Sequence, residues 1–498
     1  MFYALTKETP LLIKETVGGK ASNLHKMICD DQPVPPAFVA SVEECFKLDF
    51  SREIHSPGSL FDLELRSHIR WLASVTDYVW ASDITPLLVS VRSGAPVSMP
   101  GMMETVLNVG LTRNNLEGFA TSRKSTDLFA YDCYRRLIQM YGTTVDRIDP
   151  EKFNEIYKAS RIFYSGLSEY SACKLVDLYE AIYEKETGRS FPDDPNEQLL
   201  GACNAVFKSW HGDKAIAYRD LEGIDHNMGT AVTVQAMVFG NIDDRSATGV
   251  VFTHDPNSGA LGWYGDFLLN AQGEDVVSGN HNVSPINEIL DHKTLGQVGK
   301  ELQRKVGELY KHHRDIMDIE FTVESGKLWI LQYRRAKCSR LATVRCTLDM
   351  ARAGLIQPTE ATQRIMELLP STSTGSVDPG NLTLLGKGLG ATNGEVVGVI
   401  AIGKETADKF RAENVDYVYV ATETAPDDVP QMKGAVGILT ASGGLVSHAA
   451  LIARGWDKTC VLGFEQIKVE SDHFVHNGEV YINGSLIKIN GSTGEVYA

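Results

Sequence analysis

The sequence has no apolar run approaching the length of about 18 residues that a membrane-crossing helix needs. Its opening, Met1-Phe-Tyr-Ala-Leu-Thr-Lys-Glu-Thr-Pro10, lacks the basic start and apolar stretch of a secretion signal, so none is expected. Base is in deficit: 48 Lys and Arg stand against 64 Asp and Glu, a net charge of −16. A general nucleic-acid binder and a protein adsorbed to anionic membrane both need a basic face, so neither nucleic acid nor membrane is expected as a partner. Cysteine is sparse and scattered, at 29, 45, 133, 173, 203, 338, 346 and 460, with no CxxC pair. Zinc and thioredoxin-like chemistry are left without support. Lone thiols in a long chain fit small core fillers and a reducing, cytoplasmic setting. There is no short-period repeat, no GxxxxGK[ST] loop and no GxSxG elbow. Neighbours such as Ser447 and His448 rarely point at each other as a hydrolytic triad requires.

What is present is chain enough, at 498 residues, for about three domains. An apolar fraction of 43% is ordinary for a soluble globular protein, so hydrophobic cores can hold it without disulfides or metals. The first 110 residues mix short apolar runs with turn signals such as Pro33-Val-Pro-Pro36. From Asn115 to Gly212 the pattern turns helical, with apolar positions three and four apart in Leu128–Tyr141 and Ala172–Tyr183. Ala231–Gly240 and Thr248–Thr253, around the polar turn Asn241–Ser246, read as a hairpin with a long loop. Asp318–Val323 and Lys327–Tyr333, around Glu324-Ser-Gly326, read as a second hairpin. Ser339–Leu369 reads as two helices, broken near Gly354 and restarted after Pro358. Ser371–Gly380 is a linker by composition and marks the expected main boundary. Short strands and Gly-rich turns follow, with one helix at 448–454. The expected class is multidomain α/β.

Three motifs could carry chemistry. Val91-Arg-Ser-Gly-Ala-Pro-Val-Ser-Met-Pro-Gly-Met-Met-Glu-Thr105 gathers glycines, serines and an arginine in one loop. Glycine lets backbone N–H groups approach an anion, and arginine offers a fork for phosphate. Alone, this stretch is better read as a surface loop, and the upstream Gly18-Gly-Lys20, which lacks the Walker spacing, is equally weak, its lysine readable as a solvated charge. In the second hairpin, alternation puts Asp318 and Glu320 on one face, opposite Ile319, Phe321 and Val323. Two carboxylates so placed suit Mg²⁺, which prefers oxygen ligands, and Gln332 and Arg334 share a face on the return strand. A single hairpin of this kind is more often just amphipathic, with an exposed polar face. In Thr440-Ala-Ser-Gly-Gly-Leu-Val-Ser-His-Ala-Ala-Leu-Ile-Ala-Arg-Gly455, Ser447 caps a helix that Gly455 closes. His448 falls in its first turn, where the helix dipole keeps imidazole neutral and nucleophilic. A lone Ser-His pair is more often only a cap.

In this order, however, the three motifs resemble the pyruvate, phosphate dikinase family, and more distantly phosphoenolpyruvate synthase. The resemblance runs from Gly18-Gly-Lys-Ala-Ser-Asn-Leu24 through Phe129-Ala-Tyr-Asp-Cys-Tyr-Arg-Arg136 and Asn270-Ala-Gln-Gly-Glu-Asp-Val-Val277 to Gly491-Ser-Thr-Gly-Glu-Val-Tyr497. It implies an ATP-grasp-like nucleotide domain over 1–340, with a helical subdomain at about 115–212. A helical connector and linker over 341–380 and a swivelling β/β/α phosphohistidine domain over 381–498 would follow. Carried over residue by residue, Lys20 and Arg92 would contact the phosphates of ATP, with Gly101 and Thr105 in the phosphate loop. Asp318 and Glu320 would hold Mg²⁺, and Gln332 and Arg334 would complete the nucleotide site. His448 would attack the β-phosphate and carry the phosphoryl group while phosphate takes the γ-phosphoryl.

Three departures qualify the match, one being Gly388-Leu-Gly-Ala-Thr-Asn-Gly394 against a family GLPASPG. The family continues into a phosphoenolpyruvate/pyruvate barrel beyond the point where this sequence stops, at Ala498. Val446 stands where the family commonly has Thr, a regulatory phosphorylation site in plant relatives. The first expectation is therefore a donor and carrier whose acceptor lies on a separate subunit. A small-molecule kinase with the same donor chemistry comes second, and a non-catalytic, ATP-responsive regulatory module last.

Overall fold

The computed structural model describes residues 1–47, 56–97, 99, 102–164, 169–277, 283–368 and 382–498. They form a mixed α/β protein with several sheets, gathered into two compact units. The first comprises Met1–Asp244 with Trp329–Gln332, and the second Arg245–Leu328 with Tyr333–Ala498. The Ser371–Gly380 linker lies outside the described residues.

The first unit is built on a five-stranded antiparallel sheet. Its strands are β1 (Phe2–Ala4), β2 (Ala37–Ala40), β3 (Val89–Gly94), β4 (Thr105–Val109) and β5 (Ala231–Ala236), in the order β1-β2-β5-β3-β4. The chain between β4 and β5 is helical, and its long members Asp127–Thr144 and Glu169–Thr187 contain both segments predicted from apolar spacing. Tyr134, Tyr141 and Tyr183 close edge-on around Phe191, between 5.1 and 5.8 Å centroid to centroid, forming an aromatic core for this insert.

A second five-stranded sheet has β6 (Ala247–His254), β7 (Leu261–Leu269), β8 (Ser284–Pro285), β9 (Met317–Glu324) and β10 (Lys327–Arg335), in the order β10-β9-β6-β7-β8; all of it groups with the second unit except the Trp329–Gln332 stretch of β10. The β9–β10 hairpin was expected, and Ser325 (φ 47°) and Gly326 (φ 84°) give its turn the paired positive φ that a two-residue hairpin requires. The hairpin expected from 231–240 and 248–253 does not form. β5 is taken on both sides by β2 and β3, and β6 by β7 and β9, so two adjacent strands enter different sheets.

The connector helices are Arg340–Arg352 and Pro358–Met366. Ser339 caps the first by accepting from Ala342 N–H, Gly354 takes φ 70°, and Pro358 opens the second. An eight-stranded sheet follows, with Glu395–Ile402, Tyr417–Ala421, Gly437–Thr440 and Thr459–Leu462 running parallel at its centre. Its core includes Ile400, Val418, Leu439, Val461 and Ile489. The helices Lys404–Ala412 and Val429–Gly434 were not anticipated; Lys404–Ala412 buries only Ala407, too little apolar face to show in the sequence. All eight cysteines are unbridged: five are buried, Cys173 and Cys338 are half-buried, and only Cys29 is exposed.

Candidate active site

In the first unit, β3 and β4 pair so that Arg92 lies opposite Thr105, with Thr233 of β5 on the other side of Arg92. Both Arg92 and Thr105 are half-buried. Lys20 lies in the helix Lys14–Cys29, whose regular dihedrals break at Gly18. There φ is 74°, and a Cβ would stand 1.7 Å from the Gly94 carbonyl oxygen, so only glycine fits. Gly19 N–H donates to Ala95 O at 2.9 Å. A Cβ on Gly94 would lie 3.5 Å from Lys20 Cβ. The Gly18-Gly-Lys20 corner is thus pinned to the end of β3, two residues along the strand from Arg92, which itself pairs with Thr105. Gly101 lies outside the described residues.

In the second unit, Asp318 and Glu320 share a face of β9, and Arg334 Nε donates to Asp318 Oδ2 at 2.7 Å. The alternative of an exposed polar face does not hold, because Asp318 is 2% exposed. Its second oxygen, Oδ1, is buried with no hydrogen-bond partner. Burial pushes the Asp318 carboxyl above its ordinary value, against the pull of Arg334. Burial opposes the charge on Arg334, but Asp318 and Glu320 keep it above the ordinary arginine value. Gln332 is half-buried on β10, two residues from Arg334 on the same strand face. An orphaned carboxylate oxygen with a second carboxylate two residues along is a donor set that suits a hard divalent cation.

The face that carries Asp318 and Glu320 continues across the sheet. Asp318 lies opposite Phe252 and Glu320 opposite Val250, and these face Tyr264 and Asp266 on β7. Asp266 was not foreseen. Burial pushes its carboxyl up to about 6, and a Cβ on Gly444 would lie 3.9 Å from its Oδ2.

His448 is the first residue of the helix His448–Gly455, and Ser447 Oγ accepts from Ala450 N–H at 3.4 Å. Its Nδ1 lies 3.4 Å from Thr424 Oγ1, while Nε2 is buried and has no partner. The imidazole pKa falls to about 4, chiefly through burial, which supplements the helix-dipole argument made from sequence. A neutral ring with one lone-pair nitrogen unengaged is the form that can act as a nucleophile. Gly455 does not close this helix as expected: the next residue, Trp456, is the cap, and Asp457 takes the left-handed turn at φ 54°. Gly455 instead permits close approach of Lys337, whose Nζ would lie 3.1 Å from a Cβ there.

Arg454, 2% exposed, ties this segment down. Its Nε donates to Asn257 Oδ1 at 2.9 Å and Ala391 O at 3.0 Å, and Nη1 donates to Leu445 O at 2.7 Å. Asn393 Nδ2 in turn donates to Asn257 O at 2.7 Å and Ser339 Oγ at 2.8 Å. Arg454 sits inside the motif singled out from sequence. Nothing in the sequence marks Asn257 or Thr424.

Residues 64–306 match the model of the pyruvate phosphate dikinase AMP/ATP-binding domain, and residues 414–494 that of the PEP-utilising enzyme mobile domain. Pyruvate, phosphate dikinase of Giardia intestinalis is 41% identical over 98% of this chain and 56% of its own length. The chain carries the ATP-binding and mobile domains of pyruvate, phosphate dikinases. The Clostridium symbiosum dikinase is 37% identical over 97% of this chain and 56% of its own length. The chloroplastic pyruvate, phosphate dikinase 1 of Oryza sativa subsp. japonica is 39% identical over 97% and 52%. The chain therefore spans about half the length of the curated dikinases it matches. Arg92 and Thr105 fall within the first matched family region and His448 within the second.

Proposed function

We propose that this chain is an ATP-dependent phosphotransferase supplying the donor and carrier steps of a pyruvate, phosphate dikinase-like reaction. The observation that carries this reading is the neutral, half-buried His448, whose Nε2 is buried and unengaged at the start of a helix. Residues 1–340 form the ATP-grasp-like nucleotide domain, 341–380 the connector, and 381–498 the phosphohistidine carrier, which swivels between donor and acceptor. Lys20, Arg92 and Thr105, with Gly101, receive the phosphates; Glu320, Gln332 and Arg334 complete the nucleotide site. Asp318 and Glu320 would hold Mg²⁺, which when bound neutralises phosphate charge.

His448 Nε2 attacks the β-phosphorus of ATP, the bond to the α-phosphate oxygen breaks, and AMP leaves. An oxygen of inorganic phosphate then attacks the γ-phosphorus, and pyrophosphate departs, leaving phosphohistidine. Such transfer needs mainly positioning and charge stabilisation, and a cationic pair in the first unit with a fixed histidine in the second supplies both kinds of group. The phosphoryl group then passes to an acceptor of the pyruvate class, held on a separate subunit. The reaction is set in the cytoplasm; no helix among the described residues is long and apolar enough to cross a membrane.

The test is labelling of the full chain with Mg-ATP carrying label in the β or the γ position, with and without phosphate, beside a His448→Ala control. Label from the β position retained on protein, with AMP and pyrophosphate formed and nothing retained by the control, is the expected result. Absence of label with ATP binding intact would favour a regulatory module.

A further inference from the structure

Val446 precedes His448 by two residues and is 3% exposed. It is the single member of 382–498 in an apolar cluster otherwise drawn from residues 250–361. Its companions there are Val250 and Phe252 of β6, Ile316, and Cys346, Met350 and Ile356 of the connector region. Val250 and Phe252 are the residues that face Glu320 and Asp318 across the sheet. Because residues directly opposite one another project to the same side, Val446 is seated on the face that carries both carboxylates. Gly444 runs beside Asp266 on that same face, and Arg454 holds the Leu445 carbonyl between them.

The geometry points to Val446 as a positioning residue that seats the histidine loop on the carboxylate face and so sets the rate at which His448 is phosphorylated. The inference rests on the donor and carrier reading above. The seat is purely apolar, so its strength follows the side-chain surface removed from water. Removing two methyl groups in Val446→Ala lowers the seating equilibrium by about tenfold. A carboxylate in Val446→Asp has no counter-charge among the apolar cluster and unseats the loop. Val446→Ile keeps an apolar branched side chain.

The experiment compares the full chain with these three variants by three readouts: single-turnover labelling of His448, half-saturation by ATP, and amide exchange over 442–447 and Arg340–Arg352. In Val446→Asp, labelling should slow at least about tenfold while ATP half-saturation stays within about twofold. Exchange should quicken in both segments. Val446→Ala should fall between, and Val446→Ile should match the parent. Unchanged exchange and labelling in Val446→Asp would overturn the proposal. So would joint loss of ATP binding and labelling in Val446→Ala, which would show a general structural role. If the parent itself takes no label, the functional reading fails, and the exchange data still decide whether Val446 seats the loop.

Discussion

Arg334 donates to a carboxylate that keeps its other oxygen buried and unpartnered: the 2.7 Å contact engages Oδ2 of Asp318 and leaves Oδ1 without a hydrogen bond. A purely structural ion pair would be expected to satisfy both oxygens, since an unpaired buried polar atom costs stability. Asp318→Asn removes the hydrogen-bonded counter-charge of Arg334 and leaves it only Glu320. Stability should fall by about 3 kcal/mol, the lower end for a broken buried pair because Arg334 retains some solvent contact. Asp318→Leu with Arg334→Met should recover most of that loss, since an apolar pair needs no desolvation of charge. Neither variant should take label from Mg-ATP. Urea denaturation beside a labelling assay checks both points, and full labelling by the double variant would remove Asp318 from the nucleotide site.

The low pKa of His448 sets a pH profile. The folded ring titrates near 4 and an exposed histidine near 6.5, so the unfolded chain binds the extra proton between those values. Stability contributed by this group is therefore full above about pH 6.5 and lost as pH falls toward 4. The labelling rate, which needs the neutral ring, should stay level from pH 7 down to about 5 and drop only near 4. A histidine limb near 6.5 in the single-turnover profile would show that the reacting ring is solvated.

Gly18→Ala tests the phosphate corner. The new methyl would stand 1.7 Å from the Gly94 carbonyl oxygen at a φ of 74°. The corner must then shift, at a cost of more than about 1 kcal/mol from the backbone conformation alone. ATP affinity should weaken at least about tenfold, while the cluster around Val446, confined to the second unit, keeps its exchange protection. Calorimetric titration with nucleotide measures the first, and hydrogen exchange the second.

Arg454 offers a test of fork geometry. Its guanidinium serves a side-chain oxygen and two backbone carbonyls at once, and burial presses its pKa below the ordinary arginine value. Lysine cannot span that set, so Arg454→Lys should lose about 2–3 kcal/mol, nearly as much as Arg454→Ala. Chemical denaturation of the two variants decides it; a lysine variant as stable as the parent would mean that charge alone matters.

Elements set by local pattern were legible in the sequence. The β9–β10 turn needs two positive φ values and has Ser-Gly there; the connector helices carry a serine cap and a first-turn proline; the His448 helix follows Ser447. Pairing between distant strands was not legible. β5 and β6 look like hairpin partners because both are apolar and near in sequence, yet each completes a different sheet whose partners lie up to about two hundred residues away. The burial of Asp318 was hidden for the same reason, since alternation reports a face but not what covers it. Arg92 and Thr105 were grouped as one loop, and their direct opposition across β3 and β4 is a matter of register that spacing alone does not fix. Gly444, Asp266 and Val446 share a surface only because the chain returns to β6 and β7 from the far side of the connector.

The distribution of thiols has a practical outcome. Of eight cysteines, only Cys29 is exposed, while burial drives Cys460 and Cys346 up to about 12 and Cys133, Cys203 and Cys338 higher still. Alkylating dyes react with thiolate, so near neutral pH Cys29 is the preferred target. It ends the helix that bears Lys20, nine residues and about 14 Å farther along the axis. A fluorophore introduced there without mutagenesis would sit on the same rigid rod as the lysine assigned to phosphate, and would turn nucleotide arrival into an optical signal.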